Sequence, residues 1–312
     1  MTDISIIFVS WNCWAYLEDC LKTLLSQTSR CTTRIVVVDN GSTDGTPALL
    51  KARYPSVTVV ENRENLGFAA ANNQAMRIVR SRYVLLLNPD TVVKPGALDA
   101  LVEFMDANPD AWVVGPMMMN ADGTLQRTGV RFPNNWNIFS EALFLDRLVP
   151  SSRVFGRHKE LYADPEAARQ VDYVQGACLM VRSKVTEDLG GMDEQFFMYF
   201  EETDWCYRMK MAGGQVWYCP SAKVIHFGGG ELAHYDERRL VHYHRGLLLF
   251  YKKYYSMRKR VVLRFILFLR TCIRICVWAA IAISATSRRQ AAASSLRGYL
   301  RTLALVFRPV ST

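Results

Sequence analysis

The feature that most limits how this chain can fold is an alternation, near its N-terminus, of short and continuously apolar runs with segments of helical period. "ISIIFVS" (4–10) precedes "AYLEDCLKTLLSQ", and "RIVVVD" (34–39) precedes a turn, "NGSTDGT", and a short helix. "VTVVE" (57–61) precedes "FAAANNQAMRIVRS", and "RYVLLLN" (82–88) precedes a helix opened by Pro95, with "AWVVGP" (111–116) closing the series. A strand that is apolar at every position is covered on both faces, and strands separated by helices pair in parallel. The pattern predicts an α/β fold, a mostly parallel central sheet flanked by helices. Ligands of such sheets bind beyond the carboxyl ends of the strands, so the polar residues that end each run are the candidates for function.

Four such places stand out. Asp39 ends its strand before two tight turns, where its carboxylate can either accept a hydrogen bond from a base or ribose or cap the next helix. Gly67, in "ENLGFAAANN", sits between a strand and a helix, so it serves either a diphosphate at free backbone amides or close packing. "LLLNPD" ends a strand in Asn88, Pro89 and Asp90, and Pro89 stiffens the turn that aims Asp90. An oxygen ligand at a strand end suits Mg²⁺ or Mn²⁺, and His226, before the glycines of "VIHFGGG", would be a ligand only with a carboxylate partner such as Asp90.

A fifth stretch, "FFMYFEETDWCYRM" (196–209), places Glu201, Glu202 and Asp204 among aromatic and sulfur side chains. Carboxylates in such company are either paired or used. On a helix beginning near Glu201, Glu201 and Asp204 share a face while Glu202 points roughly 100° away, so not all three can serve one substrate. Asp204 lies four residues before Arg208, a spacing that also suits an ion pair. After residue 117 the rhythm breaks: Asp122-Gly123 suggests a hairpin, residues 131–170 show no period, and "VDYVQGACLMVRS" (171–183) returns to strand character.

The order of these motifs is similar to that of the family 2 inverting glycosyltransferases, in their rhamnosyltransferase-like branch. The resemblance is carried by "SIIFVSWN", "VVVDNGSTDGT", "NLGFAAANN", "LLLNPD", "GACLMVR", "GGMDEQFFMYFEETDWCYRMKMAG" and "VIHFGGG", across about residues 4–231. It implies a GT-A, Rossmann-like domain over residues 1–236, with a nucleotide-sugar half (1–117) and an acceptor half (118–236), followed by a basic helical region over 237–312. It also implies a divalent metal, Mg²⁺ or Mn²⁺, and a donor such as dTDP-rhamnose or a UDP-sugar.

Roles then follow by position. Ser10 and Asp39 would hold the pyrimidine and ribose, Asn65 and Gly67 would line the sugar-diphosphate pocket, and Asp90 with His226 would hold the metal. Asn88 stands where many members have an Asp, which leaves its own metal contact open. Where the family reads Glu-Asp-x-Asp this chain reads Glu-Glu-Thr-Asp, so Glu202 takes the position of the base, with Asp204 second and Glu201 a positioning group. Gly176, Arg182 and Trp205 are assigned to the acceptor. Other readings are a UDP-hexose transferase and a non-catalytic sugar-nucleotide-binding scaffold.

Charge separates the two ends of the chain. Residues 238–312 hold sixteen Lys and Arg and no Asp or Glu; removing those sixteen from the total of 38 leaves 22 basic against 29 acidic residues in the rest. A basic, apolar tail suits an anionic membrane surface, and it lacks the polar, solvated character of a nucleic-acid arm. Its longest charge-free apolar run, Ile275 to Ser287, is about 13 residues where a span needs about 20. Arg260, Arg264, Arg270 and Arg274 fall within an arc of about 120°. The expectation is a peripheral helix over 247–308 with its arginines at the headgroups, on the cytoplasmic face of the plasma membrane, near a lipid-linked saccharide acceptor. The N-terminus has no basic segment before its apolar run, and eight cysteines without a CxxC pair read as reduced thiols.

Overall fold

A computed structural model describes residues 2–228, 237–284 and 289–308. Gly229 and Gly230, two of the three glycines after His226, lie outside the described residues. The strands are β1 Thr2–Ser10, β2 Thr33–Asp39, β3 Thr58–Glu61, β4 Ser81–Leu87, β5 Thr91–Val93, β6 Ala111–Met119, β7 Leu125–Gln126, β8 Gly129–Val130, β9 Arg169–Val171, β10 Tyr173–Val174, β11 Cys178–Arg182 and β12 Gln215–His226. The helices are α1 Trp14–Leu25, α2 Thr46–Arg53, α3 Phe68–Ile78, α4 Ala97–Ala107, α5 Asn135–Ala142, α6 Leu145–Leu148, α7 Ser183–Leu189, α8 Glu201–Met211, α9 Glu237–Tyr254, α10 Met257–Ser284 and α11 Arg289–Phe307.

The chain divides into two units. The first takes residues 1–132, 163–197 and 201–227 and is built on one sheet in the order β3-β2-β1-β4-β11-β6-β12-β5. β1 runs parallel to β2 on one side and to β4 on the other, so the strand order reverses at β1 and opens a crevice at the carboxyl ends of these strands. The apolar runs are continuous because both faces are covered. Ile4, Ile6 and Phe8 pack with Leu17 and Leu21 of α1 and with Leu101 and Met105 of α4, whereas Ile7, Val36 and Val38 pack with Ala71 and Ala75 of α3 and with Trp205 and Met209 of α8.

Four strands of the sheet do not follow the parallel scheme: β7 and β9 pair antiparallel with β6 and β12, and two others shape the site. β11 inserts antiparallel between β4 and β6, pairing Cys178 with Leu87 and Arg182 with Tyr83. β5, three residues long and not visible in the sequence pattern, pairs antiparallel with the end of β12, matching Thr91 to His226. The turn read at Asp122-Gly123 joins β6 to β7.

The second unit takes residues 133–162, 198–200 and 228–312. It therefore contains the stretch without a readable period, because α5 packs on α10. Leu247, Phe250, Leu263, Leu267 and Val306 are buried in it. Gly298 lets α11 approach α9, since a Cβ there would meet Leu240 Cδ1 at 2.8 Å.

The arginine stripe of α10 corrects the expected polarity. Arg260 donates to the carbonyls of Lys252 and Tyr255 at 2.7 and 2.8 Å, closing the C-terminal end of α9, and Arg264 donates to those of Val306 and Arg308 at the end of α11. Arg274 lies over the Phe144 ring at 4.0 Å. Orphan carbonyls at helix ends and aromatic faces within the unit thus take the guanidinium groups. Beyond Arg258 and Lys259 in its first turn, α10 exposes chiefly apolar side chains: Val261 is 57%, Phe265 67% and Ile283 81% exposed. Among the described residues α10 is the one helix long and apolar enough to cross a membrane.

Candidate active site

The carboxyl ends of β1, β2 and β4 carry the first group of residues. The register sets Ser10 beside Asp39 and Asp39 beside Glu61. Asp39 is buried; its Oδ2 accepts the Ser42 N–H at 2.9 Å, while its Oδ1 is buried without a hydrogen-bond partner. A buried carboxylate oxygen left open is costly unless a donor reaches it, so Asp39 caps its turn with one oxygen and keeps the other open. The hydroxyl of Ser10 is buried against Cys13 Sγ at 3.3 Å and its carbonyl accepts from Asn40, so Ser10 supports the strand end.

Gly67, assigned with Asn65 to the sugar-diphosphate pocket, is required in its place by packing. Its φ is +89°, a Cβ there would lie 2.5 Å from the Phe197 carbonyl oxygen, and its N–H donates to Asn65 Oδ1 at 2.9 Å. Asn65 also accepts from Asn40 Nδ2 at 3.2 Å, so Asn40, unremarked in the sequence, holds this loop to β2.

The second group is Asp90 and His226. β5 starts one residue after Asp90 and pairs with the end of β12, which brings Asp90 Oδ1 to 3.4 Å from His226 Nε2. Both side chains are partly open to solvent. His226 Nδ1 meets Gln126 Oε1 at 3.0 Å, and Gln126 in turn donates to the His226 carbonyl at 2.7 Å. Gln126 thereby orients the ring with Nε2 toward Asp90. Among the described residues no third Asp, Glu, His or Cys joins them. Asn88 is half-buried, and its backbone ties β4 to Ala177 and Thr91.

The third group is on α8, where the structure separates the three carboxylates. Asp204 is fully buried and paired with Arg208 Nε at 3.0 Å, and Arg208 also donates to the carbonyls of Leu189 and Gly191. Asp204 is thus built into a clamp on the 189–191 turn, and the expected second candidate for the base is a structural residue. Glu201 is buried, and burial together with the neighbouring Glu202 charge raises its carboxyl well above the usual range. Glu202 is the one of the three that is half-buried rather than buried, with its Oε2 enclosed. It lies against Gly176, whose Cβ position is 3.7 Å from Glu202 Cβ, and the next residue, Ala177, accepts the N–H of Asn88 at 2.9 Å. Glu202 therefore stands beside the strand end that carries Asp90.

Two acceptor assignments are corrected. Arg182 lies at the far end of β11, opposite Tyr83, and donates to the carbonyls of Ala111, Met105 and Asn108. Trp205 is fully buried and donates to the Gly190 carbonyl at 3.0 Å. Both belong to the frame.

Comparison with known proteins adds the rest. The model of glycosyl transferase family 2 matches residues 5–190. An N-acetylglucosaminyl-diphospho-decaprenol L-rhamnosyltransferase of Mycobacterium tuberculosis is 31% identical over 238 residues, 72% of this chain and 76% of the relative. The rhamnosyltransferase WbbL of Escherichia coli K12 is 26% identical over 55% of this chain and 63% of its own. Among solved structures, a mannosyltransferase from Pyrobaculum calidifontis in complex with GDP-Man and Mn²⁺ superposes with a TM-score of 0.58 at 18% identity, covering 98% of this chain and 88% of that one. The likeness at that identity is one of fold.

Proposed function

The chain belongs to glycosyl transferase family 2, and from that premise we propose that it transfers rhamnose, with inversion, from a nucleotide-diphospho-rhamnose to a lipid-linked saccharide at the cytoplasmic face of the plasma membrane. The reading is supported by Glu202 packed on Gly176, whose neighbour Ala177 bonds Asn88 two residues before Asp90, and by the similarity to the mycobacterial rhamnosyltransferase.

In this mechanism Asp39 Oδ1 accepts a hydrogen bond from the base or ribose of the donor and fixes it at the crevice. The Glu202 carboxylate takes the proton of the acceptor hydroxyl. The oxygen attacks the anomeric carbon as the bond to the diphosphate oxygen breaks, which yields the inverted glycoside and a nucleoside diphosphate. Glu201, whose carboxyl burial and the Glu202 charge raise well above the usual range, is the poorer proton acceptor of the pair.

Asp90 and His226 fit a hard divalent cation that takes two ligands from the protein and keeps phosphate and water for the others. Bound there, Mg²⁺ or Mn²⁺ would stabilise the charge on the departing diphosphate. A direct test gives the full chain dTDP-rhamnose or UDP-hexoses, an N-acetylglucosaminyl-diphospho-polyprenol, and Mg²⁺, Mn²⁺ or a chelator. Rhamnosyl product formed only with dTDP-rhamnose is expected; hexosyl product alone would overturn the donor assignment.

A further inference from the structure

Two half-buried arginines in the second unit, one of them hydrogen-bonded to Tyr243, keep further guanidinium nitrogens buried without a partner. Arg270 and Arg274 stand one turn apart on α10, and Arg270 Nε and Nη1 and Arg274 Nε are buried with no hydrogen bond. The rings of Tyr243, 6.0 Å from Arg270, and of Phe144, 4.0 Å from Arg274, back the two groups. Neither arginine has an ion-pair partner among the described residues. The carboxylates of this region meet other cations, although Asp146 Oδ1 is buried without a hydrogen bond. Glu141 meets His158 at 2.6 Å, and against the cost of burial that pair, with Lys159 and Arg270 near, holds its carboxyl down to about 2; Asp146 takes Lys159 at 3.2 Å.

Buried N–H donors on permanent cations are costly, and a planar fork of such donors matches the oxygens of a phosphate. We propose that Arg270 and Arg274 form a binding site for a phosphate or diphosphate group within the helical unit, separate from the donor site. The apolar surface that α10 exposes at Val261, Phe265 and Phe268 suits a phosphate that arrives on a lipid. For that source the inference rests on the lipid-linked acceptor proposed above. Its readout is binding, so binding unaltered by the substitutions with transfer intact would sink the inference and leave that reading standing.

The test floats the full chain on phosphatidylcholine vesicles, plain or doped with phosphatidic acid, and measures the melting temperature with inorganic pyrophosphate. Wild-type protein should be retained at least tenfold better on doped vesicles. Arg270→Gln/Arg274→Gln should abolish that difference while binding plain vesicles as before. Arg270→Lys/Arg274→Lys, which keeps the charges and loses the fork, covers the case in which the Gln variant does not fold and should show an intermediate preference. A pyrophosphate-dependent rise in melting temperature that the variants lack, without preference for doped vesicles, would assign the site to a free anion. A wild-type chain indifferent to both probes, or variants that keep the preference, would overturn the proposal.

Discussion

At the scale of single residues, three carboxylates within four positions of one helix have three different fates, and environment decides each. Asp204→Asn should cost about 2–3 kcal/mol, because it strips the charge from a buried pair whose arginine is itself partly solvated. A melting temperature lowered by several degrees with near-normal turnover at low temperature is the expected pattern; a loss of turnover with an unchanged melting temperature would return Asp204 to the chemistry. Glu202→Gln should leave donor KM within about threefold and lower kcat by about 10²–10⁴-fold, as expected for loss of a general base. Glu201 makes a pH prediction. Its folded carboxyl binds its proton more tightly than the unfolded one, so its stabilising contribution is complete below about pH 4.5 and is lost as pH rises through the raised value. Glu201→Gln should raise the melting temperature at pH 8 and flatten its dependence on pH; a wild-type slope in the variant would contradict the assignment. None of this separation could be read from "EETD" alone. Helical geometry set Glu202 apart from the other two and offered Arg208 to Asp204, but burial depends on what packs over α8.

At the scale of elements, the alternation of apolar runs and helices was legible because a parallel sheet covered on both faces demands it. β5 was not, since three residues carry too little pattern and its pairing partner lies more than a hundred residues away. That pairing makes Asp90 and His226 neighbours, so the sequence could name the pair only as a possible partnership. Gln126 escaped notice for the same reason: its role follows from the β6–β7 hairpin and the approach of β12, and a glutamine in a short strand carries no signal of its own. Gln126→Leu should release the His226 ring. The concentration of Mn²⁺ giving half-maximal activity should rise about 10–100-fold while the melting temperature changes little; an unaltered metal requirement would remove Gln126 from the site. Arg182 and Trp205 were misread at this scale too, because a residue's place in a motif does not say which end of the strand or which side of the helix it occupies.

At the scale of the whole molecule, the basic tail was legible as a distinct region and its polarity was not. Arginines spaced along one stripe look like a headgroup-facing surface when no other element is in view, yet the stripe lies against α9, α11 and the aromatic rings of residues 133–162, where open carbonyls and ring faces take it up. The outward face of α10 is then made by Val261, Val262 and Phe265, with Arg258 at its start. Membrane attachment by this helix should accordingly run on apolar burial. Each Val or Phe side chain withdrawn from water contributes about 1.5–3 kcal/mol, so losing two of them outweighs any screened surface charge. Val261→Asp/Phe265→Asp should reduce flotation with phosphatidylcholine vesicles at least tenfold without lowering the melting temperature, since both side chains are exposed. Arg260→Gln/Arg264→Gln should do the reverse, lowering the melting temperature through the lost helix-end contacts and leaving vesicle binding within about twofold. If instead the arginine pair controls flotation and the apolar pair does not, the stripe faces the headgroups and the inward assignment fails.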